Sequence, residues 1–311
     1  MLARTVRNGL AETTHNGGVV IADATGRVLA SWGDTDPVFY WRSSLKLVQA
    51  TVSQEAGANL NPQHMAIAGS SHSGWPIHLA IIRQSLASVD LDEDALRCPP
   101  DWPQASRARQ LLIATGHRTP KRLFHNCSGK HAAWLRACVA QGWPLDTYLA
   151  DDHPLQRRVI DLTRKVSGFD PEPVGVDGCG APVLRTTLSA AARTFVGISC
   201  DPRFAEAVSA NCRYTALIGG SERSDTKLGQ WWDGPMKVGA EGLLVAARHG
   251  VGIAAKSWSG DAGIAVMLLV EGTRRYGLLS DAAVTAVHDI AHPTTIGGGV
   301  SQGTTEPAFE D

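Results

Sequence analysis

Apolar and polar positions alternate most cleanly near the start of the chain. In "NGGVVIADATGRVLASWGD" two β-branched stretches, Val19–Ala22 and Val28–Ser31, flank a turn carrying Asp23 and Gly26, a pattern that predicts a hairpin. Helical spacing then takes over: Leu45, Val48 and Val52 recur at one-turn intervals in "SSLKLVQATVSQEAG", and Ser43 or Ser44 is placed to cap that helix. Residues 78–89 and 131–142 read as further helices, the second ending at a glycine. The stretch from 79 to about 170 is mostly helical, with proline-bearing joints at 98–103 and 118–122. Helices resume near 190, with 204–217 the clearest.

Towards the other end, "GAEGLLVAARHGVGIAAKSWSGDAGIAVMLLV" reads as a short helix or strand, a strand ending near Lys256, a turn at 259–261 and another strand. The final "TTIGGGVSQGTTEPAFED" is rich in Gly and Thr and reads as irregular. Strands therefore cluster at the two ends and helices between them. This predicts one sheet built from both termini with a helical region packed on it, an α+β or α/β layering. The expected unit is a single domain over 1–311 whose helical middle runs from about 79 to 215.

Composition narrows the function without naming it. The chain has 311 residues, enough for a large core, with 43% hydrophobic and 19% charged residues. Its 29 Lys+Arg balance 30 Asp+Glu, so no global field steers it toward nucleic acid or an anionic membrane. The N-terminus lacks the apolar core of a secretory signal, and runs such as "GIAVMLLV" are too short to cross a bilayer. Six scattered cysteines do not form a disulfide framework. A cytoplasmic protein with reduced thiols is the expectation.

Candidate chemistry lies in four places. "RSSLK" sets Ser43 one turn before Lys46; a desolvated lysine there can take the serine proton, as in the S-x-x-K motif of serine β-lactamases and penicillin-binding proteins. The alternative is a capping serine and a solvated lysine. "AGSSHSGWPIH" puts Ser70, Ser71 and Ser73 with His72 and His78 just after an apolar run, which suits either a loop entering a cleft or a serine-rich helix start. "NCSGKHA" and "VDGCGAP" offer the thiols of Cys127 and Cys179 and the amine of Lys130. Their wide separation is not a zinc-finger spacing. Gly129, Gly178 and Gly180 beside them suit close backbone approach or left-handed turns. Lys256, at a strand end, stands where a K-[ST]-G triplet would, but the sequence reads Lys-Ser-Trp.

Taken in order, "RSSLKLVQA", "SSHSGWPIH", "NCSGKHAAWL", "DGCGAP" and "KVGAEGLL" resemble the rhizobial-type L-asparaginases, the asparaginase II family, over about residues 5 to 300. The resemblance implies a fold similar to serine β-lactamases and glutaminases, with a mainly antiparallel sheet, flanking helices and a helical region. It implies hydrolysis of L-asparagine to L-aspartate and ammonia through two Ser–Lys tandems. The first would be Ser43 with Lys46, and the second Lys256 with Ser71, or with Ser73 in its place. It also implies a Zn2+ site made by Cys127, Cys179 and a neutral Lys130. Asp177, His131 and Arg42 would then orient the substrate's amino-acid head or a water, and the assembly would be a homodimer.

The sequence departs from the family pattern at Leu47-Val48, at Trp75 after Gly74, in "NCRYTALIGG" and in "KSWSGD". Other readings are a β-lactamase-like serine hydrolase acting on glutamine or small amides, and an inactive zinc-binding homologue.

Overall fold

The computed structural model describes residues 1–220 and 223–310. The strands near the start are β1 (Ala3–Arg7), β2 (Leu10–His15), β3 (Gly17–Asp23), β4 (Val28–Gly33) and the two-residue β5 (Phe39–Tyr40). A 3-10 turn, Arg42–Leu45, leads into α1 (Lys46–Glu55), followed by α2 (Pro62–Ala68), α3 (Pro76–Ala87), α4 (Ser106–Ala114), α5 (Ser128–Gln141) and α6 (Pro154–Ser167). Short strands β6 (Gly175–Val176), β7 (Pro182–Val183) and β8 (Arg185–Thr186) precede α7 (Leu188–Cys200), α8 (Ala205–Arg213), α9 (Thr215–Ile218) and α10 (Ser224–Gly229). The rest comprises β9 (Met236–Val238), β10 (Leu243–Arg248), β11 (Val251–Ser257), α11 (Ala262–Arg275), α12 (Asp281–Ala286), α13 (His288–Ala291), β12 (Thr294–Gly297) and β13 (Val300–Pro307).

The main sheet runs β4-β3-β11-β10-β9, every pairing antiparallel. The predicted hairpin is β3–β4. Both faces of the central strands are covered, so their side chains alternate between two cores. Val20, Ala22, Val245, Ala247 and Ala254 enter the core shared with the helical region, whereas Val19, Ile21, Leu244, Ile253 and Ala255 enter the one under α11. The fold is α+β: an antiparallel sheet flanked by helices.

Four sequence expectations change. The strand expected over 263–270 is the middle of α11. Its apolar run is buried along nearly its whole length, which erases the polar face that marks a helix. Asp261 starts it by accepting the Ile264 amide on its side chain at 2.9 Å. The C-terminal stretch expected to be irregular forms β12 and β13, which join β1 and β2 in a second antiparallel sheet ordered β12-β13-β1-β2. The two termini thus meet in two sheets, not one. Finally, neither Ser43 nor Ser44 caps α1; the Ser44 hydroxyl donates to the Trp41 carbonyl at 2.6 Å. Among the described residues no helix is long and apolar enough to cross a membrane.

Candidate active site

Lys46 opens α1, 1% exposed. Its amine lies 2.9 Å from the Ser71 hydroxyl and donates a longer bond, 3.4 Å, to the Asn126 carbonyl. On the other side of the same hydroxyl, at 3.2 Å, is Lys237 Nζ, which comes from edge strand β9 and also donates to the Val238 carbonyl at 2.7 Å. One serine oxygen therefore sits between two buried amines. Two ammonium ions sharing one oxygen repel each other, and a dry setting penalises both. Burial lowers the proton affinity of Lys46. It lowers that of Lys237 much further, with the Arg223 charge acting in the same direction. Lys237 is thus the amine held closest to its neutral, proton-accepting form.

The loop carrying Ser71 is pinned residue by residue. Ser70 Oγ donates to the Ile67 carbonyl at 2.8 Å, closing the end of α2. His72 Nδ1 accepts the Gly74 amide at 3.2 Å, so its proton is on Nε2 and reaches the Ser128 hydroxyl at 2.8 Å, which in turn donates to the Leu123 carbonyl at 2.7 Å. Burial and the adjacent His78 keep His72 neutral. Ser73 Oγ donates to the Gly219 carbonyl. Of the two serines left open by sequence, Ser71 faces the lysines and Ser73 anchors the loop.

Lys256 does not pair with this loop, contrary to the expected second tandem. Its amine donates to the carbonyls of Glu241 and Ser257 and lies 5.1 Å from the centre of the Trp258 ring. The reason is strand order. β11 is separated from β9 by β10, which puts Lys256 about 10 Å across the sheet from Lys237. The signal for Lys237 was available in "KVGAEGLL": Lys237-Val238-Gly239 differs from K-[ST]-G at one position. Ser43 lies in the 3-10 turn, half-buried, and among the described residues its hydroxyl has no hydrogen-bond partner. It stands three residues before Lys46, one turn of such a helix.

At the mouth, Arg42 Nε donates to Asp177 Oδ1 at 2.7 Å, and Arg42 Nη1 stands 3.8 Å from Glu241. Arg42 and Glu241 both hold left-handed backbone conformations, φ +49° and +55°, costly for side-chain-bearing residues and common where a site imposes them. Burial would raise the Asp177 carboxyl, but Lys130 and Arg42 beside it hold it below the usual carboxylate range.

Behind Asp177 the chain turns tightly between β6 and β7. Asp177 and Ala181 bond across the turn, and Gly180 takes φ +83°, so Cys179 is presented inward, 1% exposed. Lys130 Nζ lies 3.3 Å from Cys179 Sγ and 4.4 Å from the centre of the Trp134 ring. A hydrogen bond from Cys127, with help from Lys130, outweighs burial and brings the Cys179 thiol down to about 5. Burial disfavours the Lys130 charge, yet the two thiol groups and Asp177 raise its proton affinity overall. Cys127, Lys130 and Cys179 thus lie side by side.

His131 is fully buried rather than at the mouth. Its Nδ1 meets the Tyr148 hydroxyl at 2.7 Å, while its Nε2 has no partner among the described residues. Burial and Lys130 keep it neutral. Among the described residues, no three His, Cys, Asp or Glu side chains cluster as a metal-binding group; Cys127 and Cys179 have the amine of Lys130 beside them instead.

Comparison with known proteins gives two findings. A family model described as L-asparaginase II matches residues 3–307. Among solved structures, Mglu in its glutamate form is 16% identical, with a TM-score of 0.46 over 89% of this chain and 65% of that one. Another structure of Mglu, in its tris and glutamate form, is 14% identical, with a TM-score of 0.44 over 89% of this chain and 63% of that one. This chain therefore spans a little under two thirds of those two proteins. A Bacillus glutaminase is 11% identical, with a TM-score of 0.47 over 85% of this chain and 92% of that one. No curated protein matches.

Proposed function

The chain belongs to the L-asparaginase II family, and from that membership we propose that it hydrolyses the side-chain amide of a free amino acid, L-asparagine first, to the acid and ammonia. The observation that carries this reading is the Ser71 hydroxyl held 2.9 Å from Lys46 and 3.2 Å from Lys237. That arrangement moves protons without a histidine, as amide hydrolysis through a serine ester requires.

Ser43 is the nucleophile in this reading, because its hydroxyl is half-buried and unpartnered while Ser71 is sealed in. Its oxygen bonds to the amide carbon as its proton passes through Lys46 and Ser71 to Lys237. The C–N bond then breaks, ammonia leaves with that proton, and water hydrolyses the ester. Arg42 and Asp177 offer a guanidinium beside a carboxylate, the complement of a zwitterionic amino-acid head. Ser73 and His131 act behind the site, holding the loop and the base of α5.

Cys127, Cys179 and Lys130 fit a soft divalent ion such as Zn2+. Two thiols and an amine are suitable donors, one thiol ionises readily, and three protein ligands leave a position open. When bound, such an ion supplies Lewis-acid polarisation. Lys130 has to give up its proton to ligate it.

The test is ammonia release from asparagine, glutamine and small amides, with metal content measured on the same samples. Asparagine turnover is expected, with zinc retained by the parent chain and lost from Cys179→Ser. Lys237→Met should lower kcat by about 10²- to 10⁴-fold with little change in KM. Mass spectrometry of quenched reactions should find an acyl adduct on the peptide holding Ser43. An adduct on Ser71 would reassign the nucleophile, and no ammonia from any amide by metal-loaded protein would end the proposal.

A further inference from the structure

Arg223 and Asp225 belong to no motif picked out in the sequence, yet they touch the centre of the site. Asp225 lies in α10 and is 3% exposed. Arg223 Nε donates to its Oδ1 at 3.1 Å and Arg223 Nη2 to its Oδ2 at 2.7 Å, the two-pronged geometry in which guanidinium and carboxylate bind most strongly. The remaining nitrogen, Nη1, donates to the main-chain carbonyl of Ser71. On its far side, Asp225 Oδ2 accepts the Val238 amide at 3.4 Å and stands 3.8 Å from Lys237 Nζ. One guanidinium therefore links the peptide of Ser71 to the carboxylate nearest Lys237.

That carboxylate is a hazard to a lysine meant to accept protons. A buried, unpaired carboxylate beside an amine favours the ammonium and draws it into an ion pair. Bound by the fork, Asp225 is already satisfied, and the pair presents no net charge to Lys237. The other groups around Lys237 are few. The 3-10 turn brings Arg42, whose charge is answered by Asp177. α1 brings Lys46, the loop before α5 brings Cys127, and β10 sets only apolar Val245 opposite.

Resting on the reading that Lys237 is the base, we propose that Arg223 is its positioning residue: it keeps Asp225 off the Lys237 amine and keeps the Ser71 hydroxyl between Lys237 and Lys46. The directions of the individual effects agree. Burial and then Arg223 disfavour the Lys237 charge, and Asp225, ahead of Cys127, opposes them.

The experiment measures kcat against pH for the parent chain, Arg223→Lys, Arg223→Gln and the double variant Arg223→Gln/Asp225→Asn. Alongside it, lysines labelled with ¹³C at Cε are titrated by NMR, the Lys237 signal being assigned with Lys237→Arg. Releasing Asp225 in Arg223→Gln should move the acid limb of kcat, and the Lys237 titration with it, upward by about one pH unit or more. Arg223→Lys, with one prong instead of two, should shift both in the same direction and less. The double variant removes both charges and should return the limb to its parental position, with kcat still reduced because the Ser71 carbonyl has lost its donor.

Variants that lower kcat equally at every pH, with the Lys237 titration unmoved, would overturn the inference, as would a double variant displaced as far as the single one. If Arg223→Gln does not fold, Arg223→Lys and the charge-balanced double variant still decide the matter. A Lys237 titration that shifts while the acid limb stays fixed supports the role of Arg223 in setting the amine's charge and removes Lys237 as the base. The two readings therefore fail separately.

Discussion

Gly129 is where α5 comes down on α2. A methyl group built on it would stand 2.5 Å from the Ile67 carbonyl oxygen and 3.1 Å from the carbonyl carbon, and a main chain gives way less easily than a side-chain tip. Gly129→Ala is therefore expected to cost about 1–3 kcal/mol, the usual penalty for overpacking, read from the midpoint of urea unfolding. Because Cys127 and Lys130 flank it, the same variant should also bind less zinc. An unchanged midpoint would show that the helices have room to part. "NCSGKHA" identifies such a residue only as a glycine needing space or a left-handed turn, and here the need is space. Of the other two glycines in these motifs, Gly180 takes the left-handed turn, and Gly178 shows neither positive φ nor a close neighbour.

Among elements, α11 shows where periodicity stops informing. Its residues from Ile264 to Thr273 are all buried, between the sheet on one side and the second sheet and α13 on others. A helix covered on every side has no polar stripe, and an eight-residue apolar run then reads equally well as a strand. The local mark that distinguishes them is the cap. Asp261→Ala removes the side chain that accepts the Ile264 amide and should cost about 1 kcal/mol, measured by thermal or urea unfolding; no loss would mean the helix is held by packing alone. The converse error concerns β12 and β13. Their glycines weaken the strand preference that their threonines carry, and they form because β13 finds β1 from the opposite end of the chain, Ala3 opposite Pro307 through Arg7 opposite Gly303.

At the scale of the whole molecule, the main sheet separates two cores, and the site draws on only one side. Ser43, Lys46, Ser71 and the cysteines sit with the helical core, while α11 fills the other. Leu268 is fully buried in that second core, so Leu268→Ala should lower stability by about 2–5 kcal/mol while leaving kcat and KM for the amide within twofold at temperatures where the chain stays folded. A parallel loss of kcat would show that the two faces are coupled through the sheet. The sequence by itself determined the helical middle, the β3–β4 hairpin, the one-turn spacing of Ser43 and Lys46 and the thiols and amine that "NCSGKHA" and "DGCGAP" supply, because each depends on neighbours within a few turns of chain. Which lysine meets Ser71 was decided by tertiary structure. Lys237 and Lys256 sit in similar apolar strands of one sheet, and only strand order puts β9 at the edge beside the serine loop and β11 two places away. The Arg223–Asp225 fork was decided in the same way, since its value depends on a carbonyl and an amine brought to it from Ser71 and Lys237.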